Sequence, residues 1–355
     1  MNSEVSFTVA YVPIENPCAL RDSMIAHLRE HDVDIRIDGD VAVATMPEFG
    51  LSIELAVKTD GLSAKISAPN EGQLHFMREE LIETTEKIDP KAADAIRWDK
   101  KEAEPTCPIN FHVFKVVGAL DVLEGLRRVT VEGPAAPAML VGPGFHVRAI
   151  LPKNPVRPPV WPVIAPNGGT RWPQGADELH ARVLTVRAVD PNAQTVEFDI
   201  ALHDSGFVSD WARTAKPGSE VGIMGPGGEM GPSAEGRHLY ICDRTAMAAV
   251  ARNLALRGQE SANLVIAACP NVRQAAGYFD RLPCKVVGFS EDELRGNVER
   301  VVGSAVAEQK FSYAWFGGEF SDAQTARSYF RAVLGLEKGS HLSVPYWRIG
   351  QAGEA

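Results

Sequence analysis

The sequence predicts three regions of different fold class in succession: a small α+β domain, an antiparallel β-barrel, and an α/β domain built on a parallel sheet. Three observations lead there. Residues 1–100 mix two amphipathic helical stretches with strand-like runs separated by Asp-Gly turns. From Pro108 six strand-like runs follow with only one short helix between them, and closure into a barrel removes the exposed edges that such a set would leave. From His238 onward, apolar strands alternate with helices, the pattern of a parallel sheet covered on both faces. The expected boundaries are 1–104, 105–235 and 236–355.

In the first region, Pro17 to Glu30 carries Leu20, Met24, Ile25 and Leu28 at helical spacing, with Asn16 as a cap. Strand-like runs follow at 33–39, 40–50, 51–61 and 62–68; the last alternates apolar and polar residues, the period of a half-buried antiparallel strand. Gln73 to Ile88 is a second amphipathic helix. The Lys-Glu run at Lys100–Glu104, ahead of Pro105, reads as a linker.

The barrel strands are expected at 110–120, 127–133, 145–152, 181–190, 195–202 and 220–226, with a helix over Ser209–Ala215. Pro152 to Glu178 is rich in Pro, Gly and Trp without a clear period and reads as a long loop. In the third region helices are expected at Arg244–Leu256, Val272–Leu282, Glu291–Glu308 and Asp322–Leu334, between strands starting at His238, Asn263, Cys284, Phe311 and Leu342.

A hydrophobic content of 45% with 23% charged residues is ordinary for a globular protein. The net charge of −10 lies in residues 1–105, which hold 21 acids and 11 bases; the remaining 25 acids and 25 bases cancel. An acidic chain without a basic tract is a poor nucleic-acid binder. No apolar run approaches the roughly 18 residues of a membrane span, and the N-terminus lacks the features of a signal peptide. Five cysteines without a CxxC pair argue against iron–sulfur, zinc-ribbon or disulfide frameworks, so a cytoplasmic setting is the default. Residues 125–188 nevertheless hold eight bases against three acids, a local excess suited to anions; strand-edge solvation accounts for part of it.

Within the barrel, Arg182 and Leu184 share one face of a strand while Val183, Thr185 and Arg187 share the other. A fixed guanidinium there suits a pyrophosphate, although such strands are more often purely structural. Ser209 is placed to cap the short helix, whose free N–H groups could cradle phosphate; an ordinary capped turn is the simpler reading. His203 ends a strand close by. Asp243-Arg244-Thr245-Ala246 opens the first helix of the α/β region, where the helix dipole and an added cation favour a nucleotide phosphate. Gly317-Gly318-Glu319 ends another strand, where close backbone approach to a ligand would call for glycine. Gly225 to Gly231 departs from the dinucleotide fingerprint in spacing and is read as a strand-terminating turn.

Taken in order, RVLTVRAVD, FDIALHDSGFVSDWA, KPGSEVGIMGPGG, CDRTAMAAVARNL, AWFGGE and YWRIG resemble the siderophore-interacting protein family, FAD-dependent ferric-siderophore reductases of ferredoxin reductase-like fold. Residues 1–100 also resemble a small domain often fused to these proteins. The resemblance spans 108–350 and implies an FAD-binding barrel followed by an NAD(P)H-binding α/β domain. It implies cofactor contacts at Arg182, Leu184, Thr185, Val186, His203, Gly206, Val208, Ser209 and Trp211, and at Asp243, Thr245, Ala246, Gly318, Glu319 and Trp347. The expected activity is reduction of a ferric siderophore by NAD(P)H through FAD, with release of ferrous iron. Arg127, Arg128, Arg148, Lys153 and Arg171 are candidates to collect the anionic chelate. No acid–base residue or metal-ligating set is expected. Leu184, Phe207, Cys242 and Arg244 depart from the family pattern at a Tyr, a Pro, a Gly and a Glu. A flavoprotein reducing another acceptor, or a ferric-chelate or haem binder without FAD, are the alternatives.

Overall fold

The computed structural model describes residues 6–30, 33–47, 50–99, 107–140, 144–204, 206–227, 235–257, 263–306 and 309–351. Packing divides the chain into two units: Met1–Phe111 with Pro152–Leu179, and His112–Leu151 with His180–Ala355.

The first unit contains β1 (Ser6–Val12), α1 (Pro17–Glu30), β2 (Asp34–Asp38), β3 (Val41–Met46), β4 (Leu51–Lys58), β5 (Gly61–Ala68), α2 (Glu71–Ile88), α3 (Pro90–Asp94) and β6 (Arg97–Trp98). Its antiparallel sheet has the order β2-β3-β4-β5-β1-β6. Strand alternation puts Ala10, Val12, Ile53, Leu55, Leu62 and Ile66 into one core with Leu20 and Met24 of α1 and Leu74 and Leu81 of α2. The sequence reading begins the sheet at residue 33 and so lacks β1, which the fold inserts between β5 and β6. Asn70 caps α2 by accepting from the Gln73 N–H at 3.0 Å. The expected linker at 100–105 lies outside the described residues.

The Pro- and Trp-rich stretch differs from the expected loop of the barrel, because it packs as part of this first unit. It forms a small hairpin, β10 (Val163–Ile164) with β11 (Thr170–Arg171). Trp98 Nε1 donates to the Asn167 carbonyl at 2.7 Å, Asn167 Nδ2 donates to the Ala93 carbonyl at 3.1 Å, and the Thr170 N–H donates to Glu79 Oε1 at 2.7 Å. Gly168, at φ +83°, lies against the Trp98 indole, where a Cβ would come within 2.8 Å of Nε1. These partners are 69 to 91 residues apart in sequence, which is why no local pattern announces them.

In the second unit, β7 (Phe111–Leu123), β8 (Leu126–Glu132), β9 (His146–Pro152), β12 (Leu179–Asp190), β13 (Thr195–Ala201) and β14 (Glu220–Gly227) form a closed barrel of order β12-β13-β8-β7-β14-β9. Inward residues Phe114, Val129, Val131, Val147, Val186, Val196, Phe198 and Ile223 fill it. Helix α4 (Phe207–Thr214) joins β13 to β14. Part of the expected glycine turn, from residue 228, lies outside the described residues.

The same unit continues with β15 (His238–Asp243), α5 (Met247–Arg257), β16 (Asn263–Ala268), α6 (Val272–Tyr278), β17 (Cys284–Phe289), α7 (Glu291–Leu294), α8 (Val298–Val306), β18 (Tyr313–Glu319), α9 (Phe320–Ala332) and β19 (His341–Trp347). The sheet is wholly parallel, in the order β17-β16-β15-β18-β19, and every residue of β15, β16 and β18 is buried. Residues of α5 and α6 cover one face together with Leu123, Leu126 and Phe145 of the barrel; α8 and α9 cover the other. The helix expected over 291–308 is broken into α7 and α8 at Gly296, whose φ of +68° a helix cannot continue. Strand order reverses between β15 and β18, so their carboxyl ends, Asp243 and Glu319, flank the crevice where such sheets bind ligands.

Candidate functional site

One wall of the site is the start of α4. Gly206 precedes it at φ +150°, a conformation other residues rarely adopt, and among the described residues no side chain caps the first turn. A Cβ at Gly206 would meet only Ser209 Oγ, at 3.9 Å, so the backbone there is open. Ser209 is therefore not the expected cap. It lies inside the first turn, buried, and its Oγ accepts from the His203 N–H at 3.1 Å and donates to the Ala201 carbonyl at 3.4 Å. The serine stitches the strand end to the helix, and the helix N–H groups are left for another partner.

Around this turn stand three cations. Burial lowers the pKa of the exposed-edge His203, and the charges of Arg244, Arg182 and Arg213 lower it further, against the opposing effect of Asp243. Arg213 donates to the His203 carbonyl and pairs with Asp210 at 3.0 Å. Arg182 is half-buried and, among the described residues, makes no hydrogen bond or ion pair. Phe207 faces the His180 ring, with centroids 4.7 Å apart. Leu184, Val208 and Trp211 pack on the barrel core. Val186 is fully buried in that core and its N–H donates to the Phe145 carbonyl at 2.8 Å, so neither its side chain nor its N–H faces a ligand.

On the other side, Thr185 meets His146, the first residue of β9, with Oγ1 and Nδ1 3.3 Å apart. Burial pushes the His146 pKa down to about 4, so the ring is neutral near pH 7. Its ring lies 6.2 Å, edge to face, from Tyr346 of β19. The sequence reading passed over His146, although alternation in FHVRAILP puts it on one face of β9 with Arg148.

At the strand ends the side chains are engaged with one another. Asp243 accepts from the Thr245 N–H at 2.8 Å and hydroxyl through Oδ1, and from Trp347 Nε1 at 2.7 Å through Oδ2. Burial raises its pKa against these hydrogen bonds. Three turn residues, 244–246, precede α5, which starts at Met247 rather than Arg244. Ala246 is fully buried. Glu319 caps α9: Oε2 accepts from the Ser321 N–H at 2.6 Å and the Ser321 hydroxyl, and Oε1 from the Ile349 N–H at 3.3 Å. Its pKa is lowered: burial acts to raise it and these bonds outweigh that.

The structure departs from expectation at Gly317-Gly318 and at Arg244. The glycines of β18 are needed for internal packing. A Cβ on Gly317 would come within 2.3 Å of the Trp315 ring and 2.7 Å of Ala246, and one on Gly318 within 3.0 Å of Asp243. Arg244 is not free for a phosphate, since it pairs with Glu291 at 3.0 Å and lies flush against Gly125, where a Cβ would meet its Nη1 at 2.2 Å. It fastens the β7–β8 hairpin to α7.

The five candidate substrate bases are divided between the two units. Arg127 is held by the Ala212 carbonyl at 2.8 Å and Asp121 at 2.6 Å. Arg128 makes two hydrogen bonds to the buried Asp199, at 2.7 and 2.8 Å, and Tyr278 of α6 donates to the same carboxylate at 2.5 Å. Lys153, paired with Glu178 at 2.5 Å, and Arg171 belong to the first unit. Arg148 is exposed and unpaired among the described residues.

The second unit joins a closed antiparallel barrel to a five-stranded parallel sheet and carries, on the barrel side, an uncapped α4 and a half-buried Arg182 unpaired among the described residues, an architecture suited to the class of flavin-dependent oxidoreductases. Family comparison is consistent with that class: the siderophore-interacting FAD-binding domain matches residues 115–230, and the siderophore-interacting protein domain matches 235–350. The chain belongs to the siderophore-interacting protein family, with FAD and NAD(P)H as its cofactors. It is 25% identical over 220 residues to an NADPH-dependent ferric-chelate reductase of Escherichia coli K12, covering 59% of this chain and 83% of that protein. The siderophore-interacting protein SipS from Aeromonas hydrophila shares its fold with a TM-score of 0.54 at 26% identity, over 68% of this chain and 93% of SipS. A siderophore utilization protein from T. fusca gives 0.57 at 21% identity, over 71% and 99%.

Proposed function

We propose that this chain is an NAD(P)H:ferric-siderophore oxidoreductase that uses FAD to reduce the chelated Fe(III) and release Fe(II) in the cytoplasm. The observation that carries the reading is the combination at α4: an uncapped helix N-terminus, open backbone at Gly206 and an unpartnered Arg182. Together they fit a pyrophosphate, which takes N–H donors and a guanidinium at once. Thr185 and Leu184 would lie along the flavin ring; His203, Val208 and Trp211 would flank the phosphates. Trp347, Asp243 and Thr245 would shape the crevice that receives the nicotinamide.

Bound FAD supplies the conversion of a two-electron hydride donor into single electrons for iron. The protein's own contribution is to hold the two cofactors at the switch point between β15 and β18 and to fix the walls of that crevice. Asp243, Thr245 and Trp347 do so by bonding to one another, and Arg244 with Glu291 secures the barrel hairpin beside them. Exposed Arg148, in the second unit, and exposed Arg171, in the first, are the two of the five bases that make no ion pair among the described residues, and either can attract an anionic chelate. Ferrous iron then leaves because oxygen-rich chelators hold it weakly. The five cysteines are all free, in keeping with a reducing compartment, and among the described residues no helix is long and apolar enough to cross a membrane.

The test is a titration of apoprotein with FAD followed by anaerobic addition of NADPH or NADH. Saturable uptake with bleaching of the flavin band by either nucleotide is expected. A protein that takes up no FAD, or whose bound FAD neither nucleotide reduces, contradicts the reading.

A further inference from the structure

Reoxidation of the two-electron-reduced flavin releases two electrons and the proton on N5. Each Fe(III) takes one electron, so the electrons leave with the iron and the proton must reach water. The carboxylates that flank the crevice are poorly placed for this. Both oxygens of Asp243 are taken by Thr245 and Trp347, both oxygens of Glu319 by Ser321 and Ile349, and Glu291 is paired with Arg244.

His146 differs from them. Its Nδ1 touches the Thr185 hydroxyl at 3.3 Å, while among the described residues Nε2 has no hydrogen-bond partner and the ring is only partly buried. A hydroxyl and a neutral imidazole in contact can bond in either direction. With Thr185 donating to Nδ1, the ring carries its hydrogen on Nε2; with Nδ1 donating, the hydroxyl hydrogen is free. Moving between these two arrangements carries one proton through the pair without leaving a charge on it. Burial keeps the ring from retaining a proton near neutral pH, which suits a conduit better than a store.

We propose that Thr185 and His146 form the relay that carries the flavin N5 proton to water during reoxidation by the ferric chelate. With FAD bound, Thr185 Oγ1 would take the proton released from N5, the former hydroxyl proton would pass to His146 Nδ1, and the Nε2 proton would pass to water. Exchange with water resets the ring. This rests on the reading that the flavin lies along Thr185.

The experiment uses FAD-loaded wild-type protein and the His146→Ala and His146→Gln variants, reduced anaerobically with NADPH and mixed with ferric EDTA. Flavin reoxidation and, with a pH indicator, proton release are followed together, and the FAD dissociation constant is measured separately. Both variants are expected to bind FAD within about threefold of wild type and to reoxidise about 100-fold more slowly, the scale of a lost proton-transfer group. Added imidazole should restore the rate in His146→Ala, and the solvent isotope effect on reoxidation should persist or increase in both variants, because proton release then limits the rate. The Gln variant keeps a polar group of similar reach beside Thr185 but cannot relay a proton, so it carries the test if the Ala variant fails to fold. Reoxidation at the wild-type rate in either variant, or a slow His146→Ala that imidazole does not rescue, overturns the relay. Wild-type protein that takes up no FAD overturns the flavin site itself, and the relay with it.

Discussion

Replacing Asp199 by alanine should destabilise the second unit by about 3–5 kcal/mol, the cost of breaking a buried ion pair from one side. The Asp199 side chain is inaccessible to solvent. It accepts two hydrogen bonds from Arg128 and one from Tyr278, and Arg187 lies 3.8 Å from it. Hydrogen bonds to a charged group contribute about 1.5–3 kcal/mol each, but within one network they do not add. The larger part of the loss comes from stripping the Arg128 guanidinium of its bonds to Asp199, which leaves it only Glu197 at 3.4 Å; the bond to Asp199 holds its pKa above the usual range despite burial. Because Tyr278 belongs to α6 and Asp199 to β13, the same contact ties the barrel to the α/β domain. Urea unfolding followed by circular dichroism measures the change. Tyr278→Phe should lose about 1.5–3 kcal/mol, and a double variant, Asp199→Leu with Arg128→Met, should recover most of the loss by replacing the pair with packed apolar groups. A loss below about 1 kcal/mol in Asp199→Ala would show that Glu197 and solvent compensate Arg128 fully and that the Asp199 network is not a main tie of this unit.

Three further outcomes follow from the site. Arg182→Ala should weaken FAD retention at least about tenfold, a loss of roughly 1.4 kcal/mol; equilibrium dialysis checks it, and unchanged occupancy would remove Arg182 from the pyrophosphate site. Gly206→Ala should cost about 1–3 kcal/mol of backbone strain at φ +150° and loosen FAD as well, read by thermal unfolding with and without the cofactor. For His146 the folded pKa of about 4 lies below the ordinary 6.5. The unfolded chain therefore binds the extra proton more readily, and stability declines as pH falls from about 6.5 through 4, by roughly 3 kcal/mol in all. His146→Phe should flatten that part of the stability–pH curve, and an unaltered slope would show that the ring is not buried in solution.

The barrel and the parallel sheet were legible because their patterns are local. HLYICD and NLVIAA are apolar throughout and become strands buried on both faces, while VTVE and TVEFDIA alternate and line the barrel. Side-chain allegiance was not legible. Nothing near Asn167 or Thr170 indicates that Trp98, Ala93 and Glu79 would claim the insertion. Ser209 has the identity of a cap, yet Gly206 starts the helix three residues earlier and turns the serine back on His203. Arg244 looked like a free cation at a helix start because its partner Glu291 is 47 positions away in chain order. Each of these depends on which groups the fold brings together, and burial then forces polar groups to bond where they can.

A single-turnover cycle tests directly whether the chain passes electrons from NADPH through FAD to chelated iron. FAD-loaded protein is bleached with one equivalent of NADPH under anaerobic conditions and mixed with a ferric siderophore in the presence of a ferrous-specific chelator. The flavin band is expected to return as the ferrous complex appears, two ferrous ions for each flavin reoxidised. A flavin that stays reduced in the presence of the ferric siderophore, or that reoxidises without producing ferrous iron, would contradict it.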